Sequence, residues 1–313
     1  MRPGEHHAEI GAAADAGAFK AAAGKKHGMG AFATSRQQDA AEFFNLLCGA
    51  LDAEIRALPG REYAEPFRDI FRFEMSGTLT CTAKGCSASR PAGGDGTRDA
   101  WGLTLALSAA APGAGVTLDG CLLEYFADDT QPEFKCEKCG RTCAAKKETR
   151  LDSLPGVLVL TFSRFSSNGR VRTKNCAPVA FEPYFDAVRF LSAPKPGAPP
   201  RRGSTGFHLV GCISHLGASL DARHNHYIAR TRDPGDGRWF EANDDALREI
   251  DPRAACDRNA YVLFYVRTDV LAQQENAAQA GRRVAATAKA AAAVAAQDVA
   301  VGAAATAAVR PRK

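Results

Sequence analysis

Phe207 to Val266 reads F-H-L-V-G-C-I-S-H, a polar loop, H-N-H-Y-I-A-R-T-R, a turn D-P-G-D-G, R-W-F-E-A-N-D-D and, last, A-Y-V-L-F-Y-V. Runs that open with period-2 alternation and are broken by Asp and Gly form consecutive antiparallel strands, so the segment is a β-meander. Its first strand is expected to place Phe207, Leu209, Gly211 and Ile213 on one face, with His215 in the loop that follows. Two polar residues interrupt the pattern. His226 opens a strand, and Asn243 follows 17 residues later on the next hairpin arm. On paired antiparallel strands an Asn side-chain oxygen can hold an imidazole N–H and fix its tautomer for proton transfer. On this stretch alone, a pair of exposed polar residues at a strand end explains the pattern as well.

Working outward, the 313 residues suffice for one large domain or two ordinary ones, and 45% of them are apolar, enough for a core. The net charge is +5, but the tail from Thr268 onward carries six Lys/Arg against three Asp/Glu. Over half of the excess therefore lies outside the meander and the elements before it, leaving no basic face that calls for nucleic acid. No run of about 18 apolar residues occurs and the N-terminus lacks the apolar core of a signal peptide, so neither membrane insertion nor export is expected. Ten cysteines in a chain of that kind point to metal or catalysis before disulfides, and to a reducing compartment, cytoplasmic or nuclear.

Along the chain, residues 1–18 are Gly/Ala-rich and open no element, and Phe19 to Lys26 reads as a short helix. Ser35-Arg36-Gln37-Gln38 has the form of a capping box ahead of Ala40, Phe43, Phe44, Leu47, Leu51 and Ile55, which repeat at helical spacing up to Pro59-Gly60. Asp39 falls in the first turn of that helix, where the dipole favours a carboxylate. Phe71 to Leu79 and Trp101 to Leu107 read as strands, and Leu118 to Phe126 as a helix with Leu122, Leu123 and Phe126 inward and Cys121 in the core. Leu154 to Phe165 is an apolar strand long enough to cross the centre of a sheet. Ser192 to Gly206 is a surface excursion. Beyond Arg267 (268–313) an Ala-rich tail without a stripe of large residues is either a solvated helix or disordered.

The cysteines carry chemistry of their own. Cys81-x4-Cys86 and Cys136-x2-Cys139 each lie next to a glycine, Gly85 or Gly140, and 49 residues separate the pairs. Two hairpin tips bearing such pairs can share one tetrahedral Zn²⁺. Cys143 is a spare thiol able to replace any of the four. Cys48 falls in the middle of the amphipathic helix, among core positions where a thiol is inert.

Gln37-Gln38-Asp39-Ala40-Ala41-Glu42-Phe43-Phe44, the two cysteine pairs, the Leu154 to Phe165 strand, His226-Tyr227, Trp239 to Asp245 and the closing Ala260 to Tyr265, in this order, resemble the ubiquitin-specific protease family of deubiquitinating cysteine proteases. The resemblance runs from about Phe19 to Arg267. It implies an α+β fold with a papain-like core of thumb, palm and zinc-tipped fingers, the fingers at about 71–150 and a surface loop at 192–206. It further implies that His226 is the general base, Asn243 its orienting partner and Asp244 a further polar residue beside them. His224 is a rival base, but it lacks the following Tyr. Cys81, Cys86, Cys136 and Cys139 would hold one structural zinc. Asp39 and Tyr227 would line the channel for ubiquitin's C-terminal tail, with Arg164 and Phe165 near its entrance. The partners implied are ubiquitin and ubiquitinated proteins, met by a monomer.

The sequence departs from the family pattern at Asn225, where a Gly is usual before the His-Tyr pair, at Arg230, where an aromatic residue is common, and most of all ahead of Gln37. Members carry their nucleophilic cysteine in a segment of the form G-N-T-C-Y-x-N ahead of the Gln-Gln-Asp motif, and no cysteine here precedes Cys48. The expectations are therefore an N-terminally truncated hydrolase domain, a ubiquitin-binding pseudoenzyme, or a zinc-stabilised scaffold for another protein.

Overall fold

The computed structural model describes residues 16–26, 28–34, 38–59, 64–92, 101–107, 115–167, 172–194, 203–217 and 225–282. Helix α1 spans Ala16–Ala23 and α2 spans Ala40–Ala57. Asp39 is the N-cap of α2, its Oδ1 accepting from the Ala41 and Glu42 N–H groups at 2.9 Å each. The cap thus falls at Asp39 rather than at the Ser35 box, and Ser35 to Gln37 lie outside the described residues. Two faces of α2 are covered. Phe43, Leu46, Leu47 and Ala50 pack with Met29 and Phe32 of the preceding segment, while Ala41 and Phe44 turn to the main sheet. Leu51, expected in the apolar stripe, is exposed.

A third helix, α3, spans Ala64–Phe71, where the sequence suggested a strand from Phe71 onward. Its Pro66 sits in the first turn, where a missing N–H costs nothing. The finger strands are β1 (Met75–Cys81) and β2 (Ser89–Pro91), followed by two strands of the core, β3 (Leu103–Ala106) and β4 (Val116–Thr117). Helix α4 (Leu118–Tyr125) buries Leu118, Cys121 and Leu122, but Leu123 is exposed, so the inward face is narrower than expected. Next come β5 (Asp129–Lys135), β6 (Thr142–Leu151), β7 (Val157–Ser163), β8 (Phe165–Ser167), β9 (Arg172–Lys174), β10 (Val179–Ala180) and β11 (Tyr184–Asp186). The meander supplies β12 (Gly206–Leu216), β13 (His226–Arg232), β14 (Trp239–Asn243) and β15 (Ala246–Ile250), and β16 (Ala260–Arg267) closes the sheet.

Among the described residues two sheets carry the architecture. The fingers are antiparallel in the order β2-β1-β6-β5, and the palm runs β15-β14-β13-β12-β16-β7-β3 with β11 on the first residues of β12. Residues 103–107 and 115–125, though between the cysteine pairs, pack with the palm, since β3 pairs β7 in parallel and α4 joins the main core. Strand β7 is flanked on both sides, yet only β3 separates it from the edge. Its Leu158, Leu160 and Phe162 face the large core with α4, Phe207, Leu263 and Tyr265, and Val157 and Val159 face α2.

The meander holds one departure. Register shifts between Leu209 and Gly211, and again between Ile213 and Ser214, break the expected face of β12. A bulge moves later residues by one, so Cys212 continues the face of Phe207 and Leu209 while Ile213 turns to the α2 side. A final helix, α5 (268–282), follows β16 directly. It is docked and not simply solvated, with Leu271 buried, Glu275 bonded to Arg232 at 2.7 Å and Arg282 beside Asp233 and Asp236. Among the described residues no helix is long and apolar enough to cross a membrane.

Candidate active site and metal centre

Strands β13 and β14 pair from Arg232 opposite Trp239 to Ala229 opposite Ala242 and then part. Continuing that register sets Asn243 opposite Ile228, diagonal to His226 on the same face of the sheet. The side chains meet there, with His226 Nε2 at 2.6 Å from Asn243 Oδ1. A carboxamide oxygen only accepts, so Nε2 carries the proton and Nδ1 keeps its lone pair. The His226 side chain is 37% exposed. Asp244, at the tip of the β14–β15 hairpin, has a φ of 50°, a left-handed backbone that Asp tolerates better than most residues. Its carboxylate stands 3.8 Å from His226 Nε2 and is 81% exposed, too far for a hydrogen bond and well screened.

A second group of side chains lies where α2 begins against the palm. Asp39 spends Oδ1 on its own helix and accepts from the Tyr261 hydroxyl through Oδ2 at 2.7 Å. Beside it Tyr227 and His215 stack edge to face at 4.7 Å between ring centres, and Phe165 lies 5.2 Å from His215 and 5.6 Å from Tyr261. Burial, with the Asp39 charge second, pushes the Tyr227 hydroxyl up to about 12, so it stays a neutral donor.

His215 is the residue that sequence reasoning missed. Expected in a loop, it lies within β12 in register with Tyr227 and is 5% exposed. Burial, helped by Lys174, holds its imidazole down at about 4, so it is neutral. Its position nine residues into an alternating strand was the available signal. His224, the rival base, lies outside the described residues.

Arg164 was expected at a channel entrance. Its guanidinium is 2% exposed and gives its donors to backbone carbonyls: Nε to Ala260 at 2.8 Å, Nη1 to Asn175 and Ala177 at 3.0 Å, and Nη2 to Arg258 at 3.3 Å. It clamps the end of β7 to the start of β16 and thereby fixes Phe165. Arg230 likewise faces inward, with Asp257 at 2.7 Å and Glu241 at 2.8 Å.

The cysteine pairs converge as the spacing suggested. The Sγ atoms of Cys81, Cys86, Cys136 and Cys139 all lie within 4.8 Å of one another. Cys81 to Cys139 is 3.9 Å and Cys86 to Cys136 is 3.8 Å. A zinc–sulfur bond of about 2.3 Å gives a tetrahedral edge of about 3.8 Å, so the four sulfurs fit the ion. Gly85 and Gly140, at φ of 81° and 69°, turn the two knuckles. When bound, zinc would tie the two tips together, a structural task with no part in bond cleavage.

None of the ten cysteines is hydrogen-bonded to His226 among the described residues. Burial pushes the Cys48 and Cys212 thiols up to about 12 and raises Cys121 and Cys256 as well, which opposes the nucleophilic thiolate.

The model of the family described as Ubiquitin carboxyl-terminal hydrolase matches residues 12–265. The chain belongs to that family. It is similar to Ubiquitin carboxyl-terminal hydrolase 36 of Drosophila grimshawi, 30% identical over 152 residues, which are 48% of this chain and 12% of the fly protein. It is also similar to Ubiquitin carboxyl-terminal hydrolase 17-like protein B of Mus musculus, 30% identical over 138 residues, 44% of this chain and 27% of the mouse protein. Among solved structures, the SAGA Ubp8/Sgf11/Sus1/Sgf73 DUB module bound to ubiquitin aldehyde matches at a TM-score of 0.61 and 22% identity, over 76% of this chain and 51% of that one. A substituted form of the same module, bound to monoubiquitin, matches at a TM-score of 0.58 and 23% identity, over 76% of this chain and 50% of that one. The chain thus spans a small part of these curated relatives and about half of the structural neighbour, which shares its α+β fold.

Proposed function

We propose that this ubiquitin carboxyl-terminal hydrolase domain supplies the base and the ubiquitin-binding surfaces of a deubiquitinating cysteine protease that cleaves the peptide or isopeptide bond after ubiquitin's last glycine. The observation that carries the reading is the 2.6 Å contact between His226 and Asn243, which leaves Nδ1 as the proton acceptor. His226 would take the proton of a thiol, and the thiolate would attack the glycine carbonyl. Nδ1–H would then protonate the leaving lysine amine, and a water activated by the same nitrogen would hydrolyse the thioester. Asn243 holds the ring in this tautomer throughout, and Asp244 adds negative potential from the hairpin tip. Asp39, Tyr227 and Phe165 would wall the channel for ubiquitin's tail, with Arg164 fixing Phe165 from behind. A channel too narrow for side chains would admit a Gly-Gly end and reject bulkier ones.

Among the described residues no thiol is bonded to His226, and this favours a second reading, in which these residues bind ubiquitin without turnover. Hydrolysis of ubiquitin carrying a fluorogenic C-terminal amide separates the two. A Cys-bearing segment of the form G-N-T-C-Y-x-N, joined ahead of the chain, should give turnover that His226→Ala lowers by about 10²–10⁴-fold. Binding of ubiquitin with no turnover by the joined chain would support the second reading, and neither binding nor turnover would leave only a scaffold for another protein.

A further inference from the structure

The finger tip contains five thiols where a tetrahedral ion takes four. The fifth, Cys143, lies on β6 in register with Phe134, and Cys81 on β1 is in register with Ala145 of the same strand. Residues 143 and 145 share one face of β6, which sets Cys143 diagonally beside Cys81. The two Sγ atoms are 3.4 Å apart, closer than the Cys81–Cys139 and Cys86–Cys136 contacts of the metal set. Their exposure differs as well. Cys81 is buried, whereas Cys143 is partly exposed near the start of β6.

We propose that Cys143 is a peroxide-sensing thiol that takes Cys81 out of the metal set. The proposal rests on the zinc reading given above. Hydrogen peroxide oxidises Cys143 to the sulfenic acid, with one oxygen transferred to sulfur and one water released. The Cys81 thiolate then attacks the Cys143 sulfur. A sulfur–sulfur bond forms, the sulfur–oxygen bond breaks, and the hydroxide leaves as a second water with one proton from solvent. Each sulfur gives one electron to the peroxide, and zinc changes no oxidation state. Closing 3.4 Å to a disulfide of about 2.05 Å asks each sulfur to move roughly 0.7 Å, within the reach of side-chain rotation. The ion would keep three protein ligands, Cys86, Cys136 and Cys139, and its hold on the tip that carries Cys81 would rest on Cys86 alone. A thiol reductant reverses the change.

The test uses the full chain purified with its metal. Zinc release under a hydrogen peroxide titration is followed with a chromogenic chelator, and non-reducing peptide mapping locates the disulfide. The expected result is release of bound zinc together with a Cys81–Cys143 cross-link, both reversed by dithiothreitol. Cys143→Ala, which keeps the four ligands, should still bind zinc and release it at least about tenfold more slowly. Equal release rates in that variant, or cross-links confined to Cys81, Cys86, Cys136 and Cys139, would overturn the proposal and leave the zinc reading intact. A chain that binds no zinc would overturn both. Mapping of the unsubstituted chain decides the matter even if the variant fails to fold.

Discussion

At the scale of single residues, the site depends on how two imidazoles are held. His226 has its proton placed by Asn243, and His215 is kept neutral by burial against Phe165, Tyr227 and Tyr261. The second case has a consequence for stability. The folded His215 is held down at about 4 from an ordinary 6.5, by burial first, then by the Lys174 and Arg164 charges, with Asp39 opposing. Between those values the unfolded chain binds a proton that the folded chain does not, so stability falls as the pH drops from 6.5 toward 4. At about 1.4 kcal/mol per pH unit, moving from pH 7.5 to 5 should cost about 2 kcal/mol at this residue. Urea unfolding of His215→Phe should show that much less acid sensitivity than the unsubstituted chain. Equal sensitivity in both would mean that the ring is solvated in the folded state.

At the scale of elements, what holds β12, β13 and β14 in place beside the site is an ion network as well as packing. Arg230 joins Asp257, Glu241 and the Ser214 hydroxyl, and Glu241 also accepts from Arg248 at 2.7 and 2.9 Å. Burial works to raise Asp257, but the Ser214 hydroxyl, the Asn259 N–H and Arg230 together lower it, so the network favours folding above the ordinary carboxylate range. Arg230→Ala would leave two largely buried carboxylates without this cation and should destabilise the domain by about 3–5 kcal/mol in urea melts. A change under about 1 kcal/mol would mean that solvent replaces the guanidinium.

Much at this scale was legible in the sequence, because it follows from periodicity or spacing. The α2 stripe, the β7 run, the meander and the paired cysteines are such cases. The errors fall where one residue outweighs a pattern. Pro66 hides α3 although the first helical turn accepts it, and a bulge at Val210 inverts the alternation of β12 and so turns Ile213 from the expected face to the α2 side. Arg164 was expected at a channel entrance because only the fold brings four carbonyls to it, and α5 reads as unpacked because its anchors, Arg232, Asp233 and Asp236, belong to another element. His226 and Asn243 could be paired from the sequence because the strands carrying them are consecutive.

For the whole molecule, the palm and fingers have separate cores, one built on Leu160, Phe162, Phe207 and Tyr265 and one on Leu79, Phe134 and Ala145 around the thiols. The finger core is too small to depend on apolar burial alone, so the ion should carry much of its stability. Changing Cys136 and Cys139 to Ser should abolish zinc binding and speed amide exchange across β5 and β6, while β12 and β16 stay protected. One zinc per chain surviving both changes would remove the metal from the account. If the start of α2 and the palm together present a channel for ubiquitin's tail, calorimetric titration of the chain with ubiquitin, and with ubiquitin lacking its two C-terminal glycines, tests it most directly. Intact ubiquitin should bind at least about tenfold tighter, a difference of about 1.4 kcal/mol or more. Equal affinity for the two forms, or no binding of either, would contradict it.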